Sequence, residues 1–137
     1  MEILLVCACF IFSGPETDLI FEINRERAER GIESLAFNTE LSRIAQYRAD
    51  EMAELEFFGH ESIFYGEPNE MLVRLGIEFS SAGVNIAKGQ DSAREVINAW
   101  LSSSAHRENL FNKNFSSAGA GVTFFDDIPH WTLILIS

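Results

Sequence analysis

Residues 118–136 constrain this chain more than any other stretch, because two strand-like runs there flank a short turn. Ala118-Gly119-Ala120-Gly121-Val122-Thr123-Phe124-Phe125 and His130-Trp131-Thr132-Leu133-Ile134-Leu135-Ile136 lie on either side of Asp126-Asp127-Ile128-Pro129, the pattern of a β-hairpin. A hairpin at the end of a chain whose earlier parts read as helices predicts antiparallel strands with helices packed on the sheet, an α+β layered domain. At 137 residues the chain fits one domain, able to bury roughly two-thirds of its unfolded surface. Its 47% hydrophobic and 23% charged residues are the composition of a packed globular protein rather than a disordered one.

Upstream of the hairpin, apolar residues recur at helical spacing. Leu19, Ile20, Ile23 and Ala28 share one face of a helix that Thr17 or Asp18 can cap and Gly31 ends, while Glu22, Glu26 and Glu29 interleave with Arg25, Arg27 and Arg30 on a solvated outer face. Asn38 or Thr39 opens a second helix, along which Leu41, Ile44, Ala45, Ala49, Met52, Ala53 and Leu55 recur at three- and four-residue steps. Pro68 suits the first turn of a short third helix, with Met71, Leu72 and Leu75 as its stripe and Gly76 as its stop. Between Ile77 and Ala87 the pattern shortens to that of a strand, with Ala82-Gly83 marking a bend or a close backbone approach. Ser92 and Glu95 form a capping box for a fourth helix lined by Ala93, Val96, Ile97, Trp100 and Leu101, and residues 105–110 add a short turn.

Charge and motifs exclude several functions. Ten basic against 21 acidic residues give a net charge of -11, and the basic residues are scattered, so nucleic acid is not an expected partner. No Gly-rich phosphate loop precedes a helix, no CxxC pair exists, and no Ser sits in GxSxG. The N-terminal apolar run Ile3 to Phe12 is too short to span a bilayer as a helix, but it has the length of a signal-peptide core. Glu2 stands where a basic residue is usual in such a leader, so the run also reads as a buried first strand. Composition and position favour residues 1–16 as a remnant of a secretory segment, ahead of a domain at 17–137. Cys7 and Cys9 both fall in this run, so no disulfide is expected in the body of the domain.

Two histidines stand in polar settings, His60 after Phe57-Phe58-Gly59 and His106 after Ser102-Ser103-Ser104-Ala105. Imidazole binds zinc or copper and titrates near neutrality. Glu61, Glu95 and Glu108 are the nearest carboxylates in sequence, although capping already accounts for Glu95. His130, Trp100 and Trp131 read as structural.

From about Asp18 to Ile136 the chain resembles the CAP superfamily of cysteine-rich secretory proteins, antigen 5 and pathogenesis-related proteins, in its compact cysteine-free bacterial form. The resemblance is carried by Ile23-Asn24-Arg25-Glu26-Arg27-Ala28 with Gly31, Leu35 and Leu41, by Met52-Ala53 before Phe57-Phe58-Gly59-His60, and by Ala82-Gly83-Val84-Asn85-Ile86-Ala87. Ala99-Trp100 with Ser103, His106-Arg107 and Asn109-Leu110, then Gly119-Ala120-Gly121 and Trp131-Thr132, complete it in the same order. It implies a three-layer α-β-α sandwich with a mainly antiparallel central sheet and a cleft at whose floor two histidines and two acids meet in many members. His60 and His106 match the histidines. Val84 replaces the first acid, between Gly83 and Asn85, and Ser103 replaces the second, three residues after Trp100. Valine can neither orient an imidazole nor complete a coordination shell, and two histidines fall short of the three protein ligands usual at catalytic zinc.

The resemblance implies a secreted or surface-attached domain and leaves the chemistry open. Non-catalytic binding of an apolar or cell-envelope ligand, lipid and sterol included, is the reading the replaced acid favours, with His60, His106, Val84, Asn85, Ser103 and Glu61 around the cleft. A metal-assisted hydrolase of peptide or cell-wall material is the second, with zinc or copper on His60 and His106 and Glu61 or Glu108 as a substitute carboxylate. A protein-interaction scaffold using the acidic surface is the third. The chain is not expected to be integral to a membrane unless the N-terminal run is an uncleaved anchor.

Overall fold

The computed structural model describes residues 14–137, so the N-terminal apolar run and both cysteines lie outside the described residues. Helix α1 is Pro15–Glu29, followed by a two-residue strand β1 (Ala36–Phe37), helix α2 (Thr39–Glu54) and helix α3 (Pro68–Arg74). Strand β2 (Ala82–Lys88), helices α4 (Ala93–Leu101) and α5 (Ser104–Phe111), and the hairpin β3 (Ser117–Phe125) and β4 (Ile128–Ile136) complete the chain.

The four strands lie in the order β1-β3-β4-β2. Both long pairings are antiparallel, whereas β1 runs parallel to β3. The sheet is therefore mixed, and β1 is too short to show a period in the sequence. The hairpin turn is tighter than the sequence predicts, because β4 already begins at Ile128 and only Asp126 and Asp127 lie between the strands. Both take positive φ, 51° and 62°, the two-residue geometry whose twist matches that of paired strands.

Helices cover both faces, which gives the α-β-α sandwich its layers. Along β4, Trp131, Leu133 and Leu135 point into a core shared with α1, α4 and Leu110, while Ile134 and Ile136 point into another with Leu41, Ile44 and Ala45 of α2 and Met71 and Leu72 of α3. Alternation along a strand thus serves two cores at once. Each such side chain contributes about 1.5–3 kcal/mol on full burial. Helix α2 can lie this close to the sheet because Gly119 and Gly121 have no side chains. A Cβ at Gly119 would come within 2.2 Å of the Ser42 nitrogen, and one at Gly121 within 2.4 Å of the Gln46 Cα.

Local signals explain most helix ends. Asn38 accepts a hydrogen bond from the Leu41 amide, and Ser92 from the Glu95 amide. The other arm of the capping box goes astray, since Glu95 accepts from Asp91 N rather than from Ser92. Helix α1 starts earlier than Thr17 or Asp18 would place it, with Gly14 as cap and Pro15 in the first turn, where a missing N–H costs nothing. Leu55 and Leu75, read as members of apolar stripes, are exposed at the ends of their helices.

One sequence reading is overturned within α1. Arg27 does not belong to the solvated face; it is fully buried and Ala28 is exposed. The guanidinium sits on the Leu19, Ile20, Ile23 side and donates to the Glu33, Leu110, Asn112 and Phe115 carbonyls at 2.7, 2.8, 3.2 and 3.1 Å. Those carbonyls include the C-terminal end of α5, where backbone acceptors lack helical partners and carry partial negative charge.

Candidate functional site

Strand β2 is one edge of the sheet, and the two sequence-predicted histidines approach it from opposite layers. Val84 points toward α3 and joins Met71, Leu72, Ile134 and His60 around a narrow crevice. Its neighbour Asn85 points the other way and is fully buried. Asn85 donates to the His106 carbonyl at 3.1 Å and accepts from Asn109 at 2.8 Å, so it anchors α5 beneath the surface instead of lining the cleft. Gly83 permits this closeness, since a Cβ there would meet Asn109 Oδ1 at 2.9 Å; the close approach read at Ala82-Gly83 is made with α5.

His60 is exposed on the loop that follows α2, and its placement depends on residues that sequence reasoning missed. Arg48, buried in α2, donates to the Gly59 carbonyl and pairs with the buried Glu51. Glu51 also accepts from Ser62 Oγ at 3.0 Å and Tyr47 OH at 3.4 Å. Ser62 in turn accepts from the Tyr65 amide, and its backbone exchanges hydrogen bonds with Gly66. A buried ion pair thus staples both ends of the His60 loop to α2. The available signal is position: Arg48 and Glu51 fall on the same stripe as Ile44 and Met52.

His106 lies in the first half of α5, half-buried, its ring 6.4 Å from that of Trp100. Burial, and after it the charge of His60, hold the His106 imidazole below the ordinary histidine range. Ser103 is the N-cap of α5 and makes no side-chain capping bond. Glu61 is exposed and lines an open groove with Phe57, Gly59, His60, Ser62 and Ile63, about 430 Å³ in volume. A second groove of about 330 Å³ runs between His60, Glu67, Pro68, Asn69, Ala82, Gly83 and Val84. His130 is buried and its Nδ1 lies 3.0 Å from the Ile128 carbonyl, in keeping with a structural role.

The donor set does not fit a resident divalent ion. Among the described residues no three His, Cys, Asp or Glu side chains gather closely enough to hold one, so neither Glu61 nor Glu108 joins the two imidazoles as a third ligand, and the side chain beside His60 on β2 is aliphatic.

The CAP family model, described as the cysteine-rich secretory protein family, matches residues 20–135. The chain belongs to this family. The uncharacterized protein YkwD of Bacillus subtilis (strain 168) is 38% identical over 109 residues, which are 80% of this chain and 42% of YkwD. An extracellular protein of Bacillus anthracis containing an SCP domain superposes with a TM-score of 0.80 at 28% identity, over 90% of this chain and 40% of that one. An outer surface protein of Borrelia burgdorferi shares the fold, with a TM-score of 0.81 at 23% identity over 87% of this chain and 89% of its own. This CAP chain thus spans less than half the length of the first two relatives. Among its described residues, no helix is long and apolar enough to cross a membrane.

Proposed function

We propose that this CAP domain is secreted or surface-attached and holds an apolar or cell-envelope ligand in the cleft around His60 without turning it over. The observation that carries this reading is Val84, which packs with Met71, Leu72 and Ile134 beside His60 where many relatives place an acid. An aliphatic floor flanked by a few polar groups suits a ligand of mixed polarity. The crevice over Val84 has room for about one water molecule, whereas the grooves on either side of His60 are open. The ligand therefore lies along the surface as an elongated body rather than inside a closed cavity. The extracellular and outer-surface relatives support the location.

Calorimetry with zinc and copper, together with a fluorescence-displacement panel of lipids, sterols and envelope fragments, tests it. The expected result is no metal binding tighter than millimolar, binding of at least one elongated ligand, and loss of that binding by tenfold or more in Val84→Glu. Micromolar zinc binding that disappears in His60→Ala would overturn the reading in favour of a metal-assisted hydrolase. Failure of every ligand would leave a protein-interaction scaffold.

A further inference from the structure

We infer that the cleft takes its ligand as a β-strand: an extended, Lys- or Arg-containing polypeptide segment that pairs with the outer edge of β2 at Ala82 and Val84, which is unpaired among the described residues. The inference rests on the part of the reading above that puts an elongated ligand of mixed polarity along this cleft, and it names that ligand as a polypeptide rather than a lipid or sterol. It starts from the direction of the backbone groups. Ser81 accepts at its carbonyl from Ser137 N, and Gly89 donates to the Pro129 carbonyl at 2.8 Å, so the odd-numbered positions of this segment face β4. The Ile86 carbonyl instead leaves the sheet and accepts from Trp100 Nε1 at 2.9 Å. Within a strand the N–H and C=O of one residue point to the same edge and alternate with those of the next. Ala82 and Val84 therefore present their amides and carbonyls to the outside, and no other described segment hydrogen-bonds to them.

An exposed edge of this kind is a template for another strand, and added strands bind through main-chain hydrogen bonds with alternate side chains giving specificity. The surroundings suit such an occupant. Ala82, Gly83 and Val84 form the wall of the groove that Pro68, Asn69 and Glu67 close from the α3 side, which leaves a slot along the strand. Side chains on one face of the incoming segment would meet Val84 and Pro68. Those outside would meet Glu67 and Glu61, exposed carboxylates in the two grooves that share His60, neither of which is lined by a Lys or Arg. With a chain-wide charge of -11, a basic segment is attracted at long range and its cations are matched locally.

The probe is a fluorescein-labelled octapeptide of alternating Val and Lys, capped at both ends, followed by fluorescence anisotropy at physiological ionic strength. Two analogues carry N-methyl groups on the Val amides or on the Lys amides, and each blocks only one edge of an extended peptide. One analogue should bind at least tenfold more weakly than the parent and the other within twofold of it. The same parent peptide should slow amide hydrogen exchange at Ala82 and Val84 by tenfold or more. Val84→Pro removes an outward N–H that the β4 ladder does not use and should weaken binding by at least tenfold; if that variant does not fold, the methylated pair decides. Equal binding of both analogues, or no change in exchange at Ala82 and Val84, would overturn strand pairing. If Val84→Glu still abolishes the binding, the cleft reading survives alone; if no peptide and no panel ligand binds, both fall.

Discussion

Arg27 and Arg48 are both hidden from solvent, and they fix the two histidine-bearing segments by opposite means. Arg27 directs its guanidinium at four backbone carbonyls, three of them at or just beyond the end of α5. Arg48 divides its own between one carbonyl and one carboxylate, Gly59 and Glu51. Burial lowers the affinity of both side chains for their protons, and only for Arg48 does a carboxylate, Glu51, pull the other way. The contrast follows from what each must hold. A helix terminus already supplies a cluster of oriented acceptors with partial negative charge, whereas an irregular loop offers isolated carbonyls, and a full counter-charge has to be buried with the cation.

The sharpest way to break this comparison is at Arg27. Arg27→Met should cost at least about 4 kcal/mol, because several buried acceptors lose a charged donor together, and the thermal midpoint should fall by more than about 10 °C. A loss under about 1 kcal/mol in denaturant titrations would mean that water replaces the guanidinium and that α5 is not tied there.

Arg48 should behave differently in a double-mutant cycle. Arg48→Met alone strands the Glu51 carboxylate and is expected to cost about 3 kcal/mol. Removing the stranded charge as well, in Arg48→Met/Glu51→Leu, should restore at least about 1 kcal/mol of that, while amide exchange across residues 59–66 stays faster than in the parent. No second substitution of this kind exists for Arg27. A double variant less stable than Arg48→Met would show that Glu51 is held by Ser62 and Tyr47 without help from the cation.

These arginines also mark where the sequence stops being readable. Helix existence, the caps Asn38 and Ser92, and the hairpin follow from spacing and local hydrogen bonding, which act within a few residues of chain. Arg27 and Arg48 fall on apolar stripes, but the partners of Arg27 on the α5 side are 83 to 88 residues away, and a charge at helical spacing looks solvated until such a partner is known. Strand β1 is legible only once β3 lies beside it. At the site, Val84 is identifiable from its place between Gly83 and Asn85. The inward turn of Asn85 is not, because which residue of a strand faces which layer is set by the register with β4.

A finer effect distinguishes the two histidines. Replacing His60 by Ala removes a charge felt at His106 and should move the His106 midpoint upward in an NMR titration, though short of the ordinary value, since burial is the larger cause. An unchanged midpoint would mean that the rings do not communicate. Stability carries the same signature with a definite sign. A depressed native value means the unfolded chain binds the proton first, so the His106 contribution is present above the ordinary histidine pKa and is lost as pH falls through the window down to the lowered native one. His60→Ala should narrow that window.

Trp100 matters also for what it prevents. Its indole occupies the Ile86 carbonyl, the third of four outward-facing carbonyls along β2, and so separates Ala82 and Val84 from Lys88 at the far end of the strand. A longer bare margin would invite copies of the same chain to zip together edge to edge, the route by which open sheets grow into aggregates. The ring that builds the core thus also takes up an acceptor at the sheet margin, which shortens the run of free backbone groups that any second strand could pair with.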